Sequence, residues 1–136
     1  MRYAILDAAV YIGHWEGLYQ AQLATIRRQY VVRQSSVVLS ELRRGARTPA
    51  ARRLVETLRR TCAIEWAPSA PDWWEAAALI REIGDAEGWE TTKRRSFQND
   101  ALIGLTARRH GAAVVTPNRA DFALLHKKVG VEIVPL

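Results

Sequence analysis

Residues 99–118 read NDALIGLTARRHGAAVVTPN, and this stretch decides the fold class. It predicts a helix from Gln98 to His110 with Gly111 at the C-cap. The helix is apolar nearly all round, which is typical of a buried helix. The apolar run Ala113–Thr116 follows almost at once and predicts a buried strand. A buried helix that leads into a buried strand is typical of an α/β domain.

Further strands are predicted on both sides of this stretch. Tyr3–Leu6, Tyr30–Val32 and Val131–Val134 are short apolar runs, and Ala63–Ala67 is a weaker candidate. Because strands and helices alternate along the chain, we expect a parallel sheet of about four or five strands with helices on both faces. Sites in such sheets form beyond the carboxyl ends of the strands.

The remaining helices are predicted from capping residues and apolar spacing. One follows the possible caps Ser35 and Ser36 and ends near Gly45, and the next starts at Thr48-Pro49. The others cover about Val10–Gln29 with breaks at Gly13 and Gly17, Pro71 to around Gly84–Gly88, and Asn118 to about Lys127. Residues Glu90–Arg95 are predicted to form a polar connection between helices.

Length and composition exclude several classes of protein. The chain has 136 residues, of which 49% are apolar, so a single domain over residues 1–136 can bury a core. Cys62 is the one cysteine, which excludes an intramolecular disulfide and a cysteine-based zinc site. Asp7 interrupts the apolar N-terminus, and no apolar stretch is long enough to span a membrane. We therefore expect a cytoplasmic protein.

The charge is strongly basic, with 20 Lys and Arg against 14 Asp and Glu and a net charge of +6. Arginine supplies 17 of the 20 basic residues. A basic domain favours a polyanionic partner, and nucleic acid first. A coding bias towards arginine would produce the same composition, so composition alone leaves both explanations open.

Two carboxylates lie at the ends of predicted elements. Asp7 ends the first strand and is followed by apolar residues, so we expect it at a site, although it could simply cap the next helix. Asp100 precedes the apolar segment that starts at Ala101, where an unpaired charge would be costly. The positive end of the helix dipole would favour its ionised form, and a simple N-cap is the alternative.

Two further acids share this ambiguity. Glu41 lies inside a helix among apolar neighbours, which excludes a cap, but it could pair on the surface with Arg43 or Arg44. Asp121 and Asn118 are three residues apart on one helical face, so both can point at one site or form a capping pair.

The joint arrangement of these acids is more specific than any one of them. Clustered carboxylates repel each other and raise each other's pKa unless a cation neutralises them. Ligation by oxygen alone favours Mg²⁺ or Mn²⁺. A divalent metal in an acidic pocket of a basic protein is suited to phosphodiester hydrolysis.

Four stretches of the sequence resemble the PIN-domain ribonucleases, and most closely the VapC-type toxins of bacterial toxin–antitoxin pairs. They are AILDAAVYI from residue 4, SSVVLSELRRGA from residue 35, NDALIGLTARRHGAAVVTPN from residue 99 and TPNRADF from residue 116. The resemblance implies a three-layer α/β/α sandwich, dependence on Mg²⁺ or Mn²⁺ and endonucleolytic cleavage of RNA. It also implies products with a 5′-phosphate and a 3′-hydroxyl, a homodimer, and inhibition by a cognate antitoxin protein.

The resemblance also assigns the site. Asp7, Glu41 and Asp100 match the core acids, and Asp121 matches the less regular fourth acid. These four residues are the expected catalytic residues and, with Asn118, the expected metal ligands. Thr116 matches a threonine at the strand end and is expected to support the site.

One departure from the family pattern lies directly after the first acid. The family usually has Thr or Ser, then Ser or Asn, where this chain has Ala8 and Ala9. A catalytically weak or inactive PIN-like module that binds nucleic acid or protein is therefore the alternative hypothesis. A phosphatase with Asp7 as nucleophile is a second rival, but such enzymes usually place another Asp at the position of Ala9.

Other polar and aromatic residues receive weaker assignments. Possible contacts to RNA phosphates are Arg33, Arg94, Arg95 and Arg119. The scattered His14, His110 and His126 are expected to be structural or on the surface. Trp73, Ala77 and Ile80 share a stripe and are expected to pack in the core or an interface. A groove between the first helices and a stripe containing Leu54 and Leu58 is expected to receive a helix of the antitoxin.

Overall fold

The computed structural model describes all 136 residues as five strands and seven helices. The strands are β1 (Tyr3–Leu6), β2 (Val31–Ser35), β3 (Glu65–Trp66), β4 (Ala113–Thr116) and β5 (Ile133–Pro135). The helices are α1 (Ala8–Trp15), α2 (Gln20–Gln29), α3 (Ser36–Gly45), α4 (Pro49–Thr61), α5 (Ala70–Glu87), α6 (Thr91–Arg109) and α7 (Arg119–Val129).

The strands form one parallel sheet in the order β3-β2-β1-β4-β5, which confirms the predicted α/β class and parallel sheet. The chain moves from β1 outwards to β2 and β3, then returns to the other side of β1 for β4 and β5. The strand order therefore reverses between β1 and β4. In an open α/β sheet this reversal opens a crevice at the carboxyl ends of the strands.

The core lies around these two central strands. Ile5 and Leu6 of β1, Val114 of β4, and Ile103 and Leu105 of α6 expose 1% of their surface or less. Leu6 pairs with Val115, and the backbone N–H of Asp7 donates to the carbonyl of Val115 at 2.9 Å. This register places the residues that follow β1 and β4 side by side at the carboxyl edge.

The predicted caps of α3 and α4 are confirmed. The Ser35 hydroxyl accepts hydrogen bonds from the backbone N–H groups of Val37 and Val38. The Thr48 hydroxyl likewise accepts from the backbone N–H of Ala51, two residues after Pro49. Each cap satisfies N–H groups that the first turn of a helix leaves without an intrahelical partner.

The start of α6 differs from the prediction. Residues 91–95 are helical, so the predicted polar connection Glu90–Arg95 is wrong. These residues show no apolar periodicity, because part of the first turns of α6 faces solvent. Lys93 and Arg94 form salt bridges with Asp121 of α7 and Asp85 of α5. Asp100 therefore lies ten residues into α6, where it neither caps the helix nor meets the positive end of the helix dipole.

The buried stripe of α5 was also misplaced by the sequence analysis. Trp73 is 51% exposed and Ala77 is exposed, while Asp72, Ala76 and Leu79 face the core. The prediction assumed that the large Trp73 side chain faces the core. In the structure the buried face of α5 is instead shifted by one residue, to Asp72, Ala76 and Leu79. Trp73 is therefore not a core residue. None of the seven helices has both the length and the apolar character needed to cross a membrane.

Candidate metal centre

Asp7 lies at the carboxyl end of β1 and is also the N-cap of α1. Its Oδ1 accepts from the backbone N–H of Ala8 at 2.8 Å, and its Oδ2 accepts from the Thr116 hydroxyl at 2.9 Å. Only 6% of the residue is exposed, and this burial raises the pKa of the carboxyl group. The sequence left two roles open for Asp7, a helix cap and a position in the site. In the structure Asp7 caps α1 and also lies at the carboxyl edge of the sheet.

Thr116 connects Asp7 to the loop after β4. Its hydroxyl donates to Asp7 and accepts from the backbone N–H of Asn118 at 2.9 Å. The Asn118 side chain in turn donates from Nδ2 to Asp100 at 3.3 Å and to Asp121 at 3.2 Å. Asn118 makes no side-chain capping bond, so it holds carboxylates together instead of capping α7.

Asp100 is the most strongly perturbed acid of this group. Burial raises its pKa to about 8, and the negative charges of Asp7, Asp121 and Glu41 add to the rise, while Lys93 opposes it. All four predicted acids therefore lie close enough to act on one another. A carboxyl group with this pKa is largely protonated at neutral pH unless a cation favours its charged form.

Glu41 reaches the same centre from α3 and is partly buried. Burial and the charge of Asp7 raise its pKa, and Arg44 and the Asn99 side chain partly offset that rise. Glu41 forms no salt bridge with Arg43 or Arg44, and its Oε1 atom is buried without a hydrogen-bond partner. A buried carboxylate oxygen without a donor is costly, which favours a cation or a donor supplied by a ligand.

Lys93 is a member of the centre that the sequence analysis missed. Its Nζ lies 2.6 Å from Oδ2 of Asp121 and 5.1 Å from the centre of the Trp89 ring. The error at the start of α6 hid this residue, because it was placed in a connection. Lys93 is seven residues, or two helical turns, before Asp100, and that spacing would have placed both on one helix face.

The donor set of the centre fits a hard divalent cation, because Asp7, Glu41 and Asp100 offer only oxygen ligands. The Oε1 atom of Glu41 is buried and has no hydrogen-bond donor, and such a cation would be a suitable partner for it. In this arrangement no three His, Cys, Asp or Glu side chains converge closely enough to enclose an ion. Mg²⁺ usually takes one or two carboxylates and keeps several waters, so it does not need such a cage.

The arginines predicted to contact phosphate do not all reach this edge. Arg33 stacks over the Tyr3 ring, at the end of β1 remote from Asp7, and Arg94 is engaged by Asp85 and the Trp89 carbonyl. Both side chains therefore have partners within the chain, and their contacts with phosphate remain a prediction. Arg95 is exposed on α6, one turn before Asn99, and the exposed Arg119 donates to the carbonyl of Leu136.

A groove of about 530 Å³ lies where α1 and α2 meet α4, at the position predicted for a partner helix. Leu54 is 44% exposed there, and Leu58 is partly buried beside it. The groove is lined by Tyr11, His14, Trp15, Arg27, Ala50, Arg53, Leu54, Thr57, Leu58 and Thr61. Its walls mix apolar and basic side chains, which suits an amphipathic segment with acidic residues.

The fold and the acids together define a parallel α/β protein with a carboxylate centre where the strand order reverses. The chain belongs to the PIN-domain family, because the model of that family, the PIN domain, matches residues 4–127. The family resemblance read from the sequence is thus confirmed over nearly the whole chain. No curated protein sequence is significantly similar to this one.

Solved structures of toxin–antitoxin proteins have the same fold. A chain of VapBC-1 from nontypeable Haemophilus influenzae is 17% identical, with a TM-score of 0.70 over 98% of this chain and 97% of that one. A chain of VapBC-5 from Mycobacterium tuberculosis is 22% identical, with a TM-score of 0.65 over 100% of both chains. A chain of VapBC2 from Rickettsia felis, bound to a promoter DNA fragment, is 19% identical with a TM-score of 0.66 over 98% of both.

Proposed function

We propose that this protein is a Mg²⁺- or Mn²⁺-dependent endoribonuclease and the toxin of a toxin–antitoxin pair. The observation that carries the proposal is that Asp7 and Glu41 lie close enough to Asp100 for their charges to raise its pKa. The raised pKa of Asp100 and the unpaired oxygen of Glu41 both favour a bound cation there. The PIN family and the VapBC-like fold support hydrolysis of nucleic acid as the reaction.

Asp7, Glu41 and Asp100 would hold the ion, and Asp121 and Asn118 would complete the site from the α7 side. When bound, Mg²⁺ or Mn²⁺ supplies positive charge that activates water for attack on a phosphodiester and stabilises charge on the phosphate. Once the cation is present, the buried carboxyl groups release their protons, because the positive charge offsets their repulsion.

The neighbouring residues position these acids. The hydroxyl of Thr116 fixes the rotamer of Asp7. The Asn118 amide donates a hydrogen bond to Asp100 and another to Asp121, which keeps these two carboxyl groups close together. Partners that orient ligands in this way commonly change metal affinity or activity by about 10–100-fold. Lys93 places a positive charge beside Asp121.

Ala8 and Ala9 favour the second candidate, a catalytically weak PIN module that binds nucleic acid or protein. Ala8 directly follows Asp7 and is buried, and the next residue, Ala9, is exposed, so neither position has a hydroxyl or amide side chain to orient a ligand or water. A measurable rate of cleavage is what separates the two candidates.

We further propose that the groove between α1, α2 and α4 receives a helix of the cognate antitoxin. Exposed Leu54 and the neighbouring Leu58 would take its apolar face, and Arg27 and Arg53 would pair with acidic residues. The similar structures are named as VapBC complexes, which supports such a partner. We also propose that the protein forms a homodimer and acts in the cytoplasm.

The test is RNA cleavage by the purified protein with Mg²⁺, with Mn²⁺ and with excess EDTA. We expect cleavage with either metal and none with EDTA. Asp7→Asn keeps the side-chain shape and should remove cleavage while circular dichroism shows a folded chain. Metal-independent cleavage, or normal cleavage by Asp7→Asn, would contradict the proposed centre, and a folded protein without any cleavage would favour the binding module.

A further inference from the structure

A second groove, of about 950 Å³, lies between α3 and α4, and five of its 12 lining residues are arginine. We call it the arginine groove. Its basic side chains are Arg43, Arg44, Arg52, Arg59 and Arg60. Two acids, Glu56 and Glu65, also line it, so the groove carries a net positive charge. Such a concentration of one charge on a concave surface attracts polyanions.

Most of this positive charge is not neutralised within the chain. Arg59 pairs with Glu65 at 3.3 Å, which is the one salt bridge in the groove. Arg52 and Arg60 donate only to neutral oxygens, the Ala46 carbonyl and the Thr57 hydroxyl. Arg43 and Arg44 make no side-chain hydrogen bond or salt bridge. These guanidinium groups are available for an external anion.

Helix α3 carries residues of both the arginine groove and the acidic centre. Ser36, which directly follows β2, lines the groove at the carboxyl edge of the sheet. Ser40 and Arg44 line it further along, and Glu41 lies between them in sequence. A chain bound in the groove would therefore lead towards the centre.

The groove is also separate from the proposed antitoxin site. The α4 side chains that line it, among them Arg52, Val55 and Arg59, lie on the other side of the helix from Leu54 and Leu58. No residue lines both grooves. One helix thus presents a partly apolar side to one cavity and a basic side to the other.

We propose that the arginine groove binds the sugar–phosphate backbone of single-stranded RNA that continues beyond the cleaved bond, an inference that rests on the proposed function. Arginine matches phosphate oxygens with its forked donors. No aromatic side chain lines the groove, so it contacts phosphates and does not stack on bases. Helix α4 has 13 residues and is about 20 Å long, which accommodates several nucleotides.

The test is the affinity of a fluorescein-labelled 12-nucleotide oligouridylate, measured in EDTA between about 50 and 300 mM salt so that no cleavage occurs. The groove variant is Arg43→Gln/Arg52→Gln/Arg60→Gln, which leaves the Arg59–Glu65 pair intact. We expect Kd at about 150 mM salt to rise about 10–50-fold and the slope of log Kd against log salt to fall by about 2.

The matched control is Arg28→Gln/Arg81→Gln/Lys128→Gln, which removes the same charge from exposed positions outside both grooves. We expect its Kd to change by less than about 3-fold, because distant surface charges are screened at this salt concentration. Equal losses in the two triple variants would overturn the proposal, since only net charge would then matter. A decaglutamate peptide is the second probe: groove-dependent binding of the peptide without groove-dependent binding of RNA would also overturn it.

Two further variants keep the test valid if the glutamine triple does not fold. Arg43→Lys/Arg52→Lys/Arg60→Lys retains the charge and should keep the salt slope. Glu56→Gln removes an acid from the groove and should tighten oligouridylate binding about 2–3-fold, and weaker or unchanged binding would count against the groove. Failure of the proposed function is distinguishable: the groove would still bind RNA in EDTA, but the wild-type protein would not cleave it with metal.

Discussion

The acidic centre and the arginine groove are neighbours with opposite charge and opposite construction. In the centre, Asp7 is 6% exposed and bound on both oxygens by fixed donors. In the groove, Arg43, Arg52 and Arg60 are exposed and meet no acid within salt-bridge distance. The centre thus holds its charged groups in fixed positions, whereas most guanidinium groups of the groove have no acidic partner in the chain.

This separation also explains the net charge of the chain. With the four acids of the centre set apart, ten acids remain against 20 basic residues. The net charge of +6 is therefore an average over a negative centre and a much more positive remainder. A coding bias towards arginine does not predict that five arginines line one groove beside that centre.

The largest effect should come from the centre. Asp100→Asn removes a charge that the proposed cation would need, and we expect RNA cleavage to fall about 10²–10³-fold, as is common on loss of an electrostatic stabiliser. Asp85→Asn is the matched control, because Asp85 is an exposed acid that pairs only with Arg94. Single-turnover cleavage rates measure both. Comparable rates for the two variants would remove the distinction between central and surface acids.

The support of Asp7 should have the next largest effect. Thr116→Val keeps the size of the side chain but removes the hydroxyl that joins Asp7 to Asn118, so we expect about a 10–100-fold loss of cleavage. Thr106→Val is the control, because Thr106 is equally buried but donates to the Leu102 carbonyl within α6. Both changes should lower Tm, and only Thr116→Val should lower the rate or weaken Mn²⁺ binding.

Lys93 should have an intermediate effect. Lys93→Met removes the charge that neutralises Asp121, and we expect cleavage to fall about 10-fold while the chain remains folded. Lys127→Met, at the exposed C-terminal end of α7, is the control and should leave the rate unchanged. If Lys93 contributes only to stability, the Tm of Lys93→Met will fall and its cleavage rate will not.

The smallest expected effect is a fall in the stability of the metal-free chain as pH rises. The pKa of Asp100 is about 8 in the folded chain and near 3.8 when unperturbed, so between these values the folded state binds more protons than the unfolded state. Stability without metal must then fall as pH rises through this range. The raised pKa values of Asp7 and Glu41 act in the same direction. We expect Tm in EDTA to drop by about 5 °C between pH 5.5 and pH 8.5, roughly 1–2 kcal/mol.

This fall should be smaller in Asp100→Asn, and millimolar Mg²⁺ should reduce it in the wild-type chain because the cation binds only the folded state. Thermal unfolding followed by circular dichroism measures all three. A Tm that rises over this pH range, or the same fall in Asp100→Asn, would show that the acids of the centre do not repel one another.

Much of the fold was predictable because its signals are local. The buried runs at Tyr3–Leu6 and Ala113–Thr116 and the caps at Ser35 and Thr48 depend on neighbouring residues only, and each appears in the structure. The start of α6 at Thr91 was not predictable in the same way, because its polar first turns have no apolar period. Trp73 misled the analysis of α5 because a large aromatic side chain does not have to face the core.

The centre shows the same division. Asp7, Glu41, Asp100 and Asp121 were identified from their places in the sequence pattern, and the structure brings them together. Their roles as metal ligands remain a prediction. Lys93 was missed, because the direction of a long side chain depends on partners from other elements, here Asp121 of α7.

The sequence by itself determined the α/β class, the parallel sheet and the acids at the strand ends, since apolar periodicity and caps are encoded over a few residues. Tertiary structure decided which charges meet. It paired Lys93 with Asp121, left the Oε1 atom of Glu41 without a hydrogen-bond partner and gathered arginines of α3 and α4 into one groove. The physical reason is that electrostatic interactions depend on distance and burial in the folded chain, which no local pattern specifies.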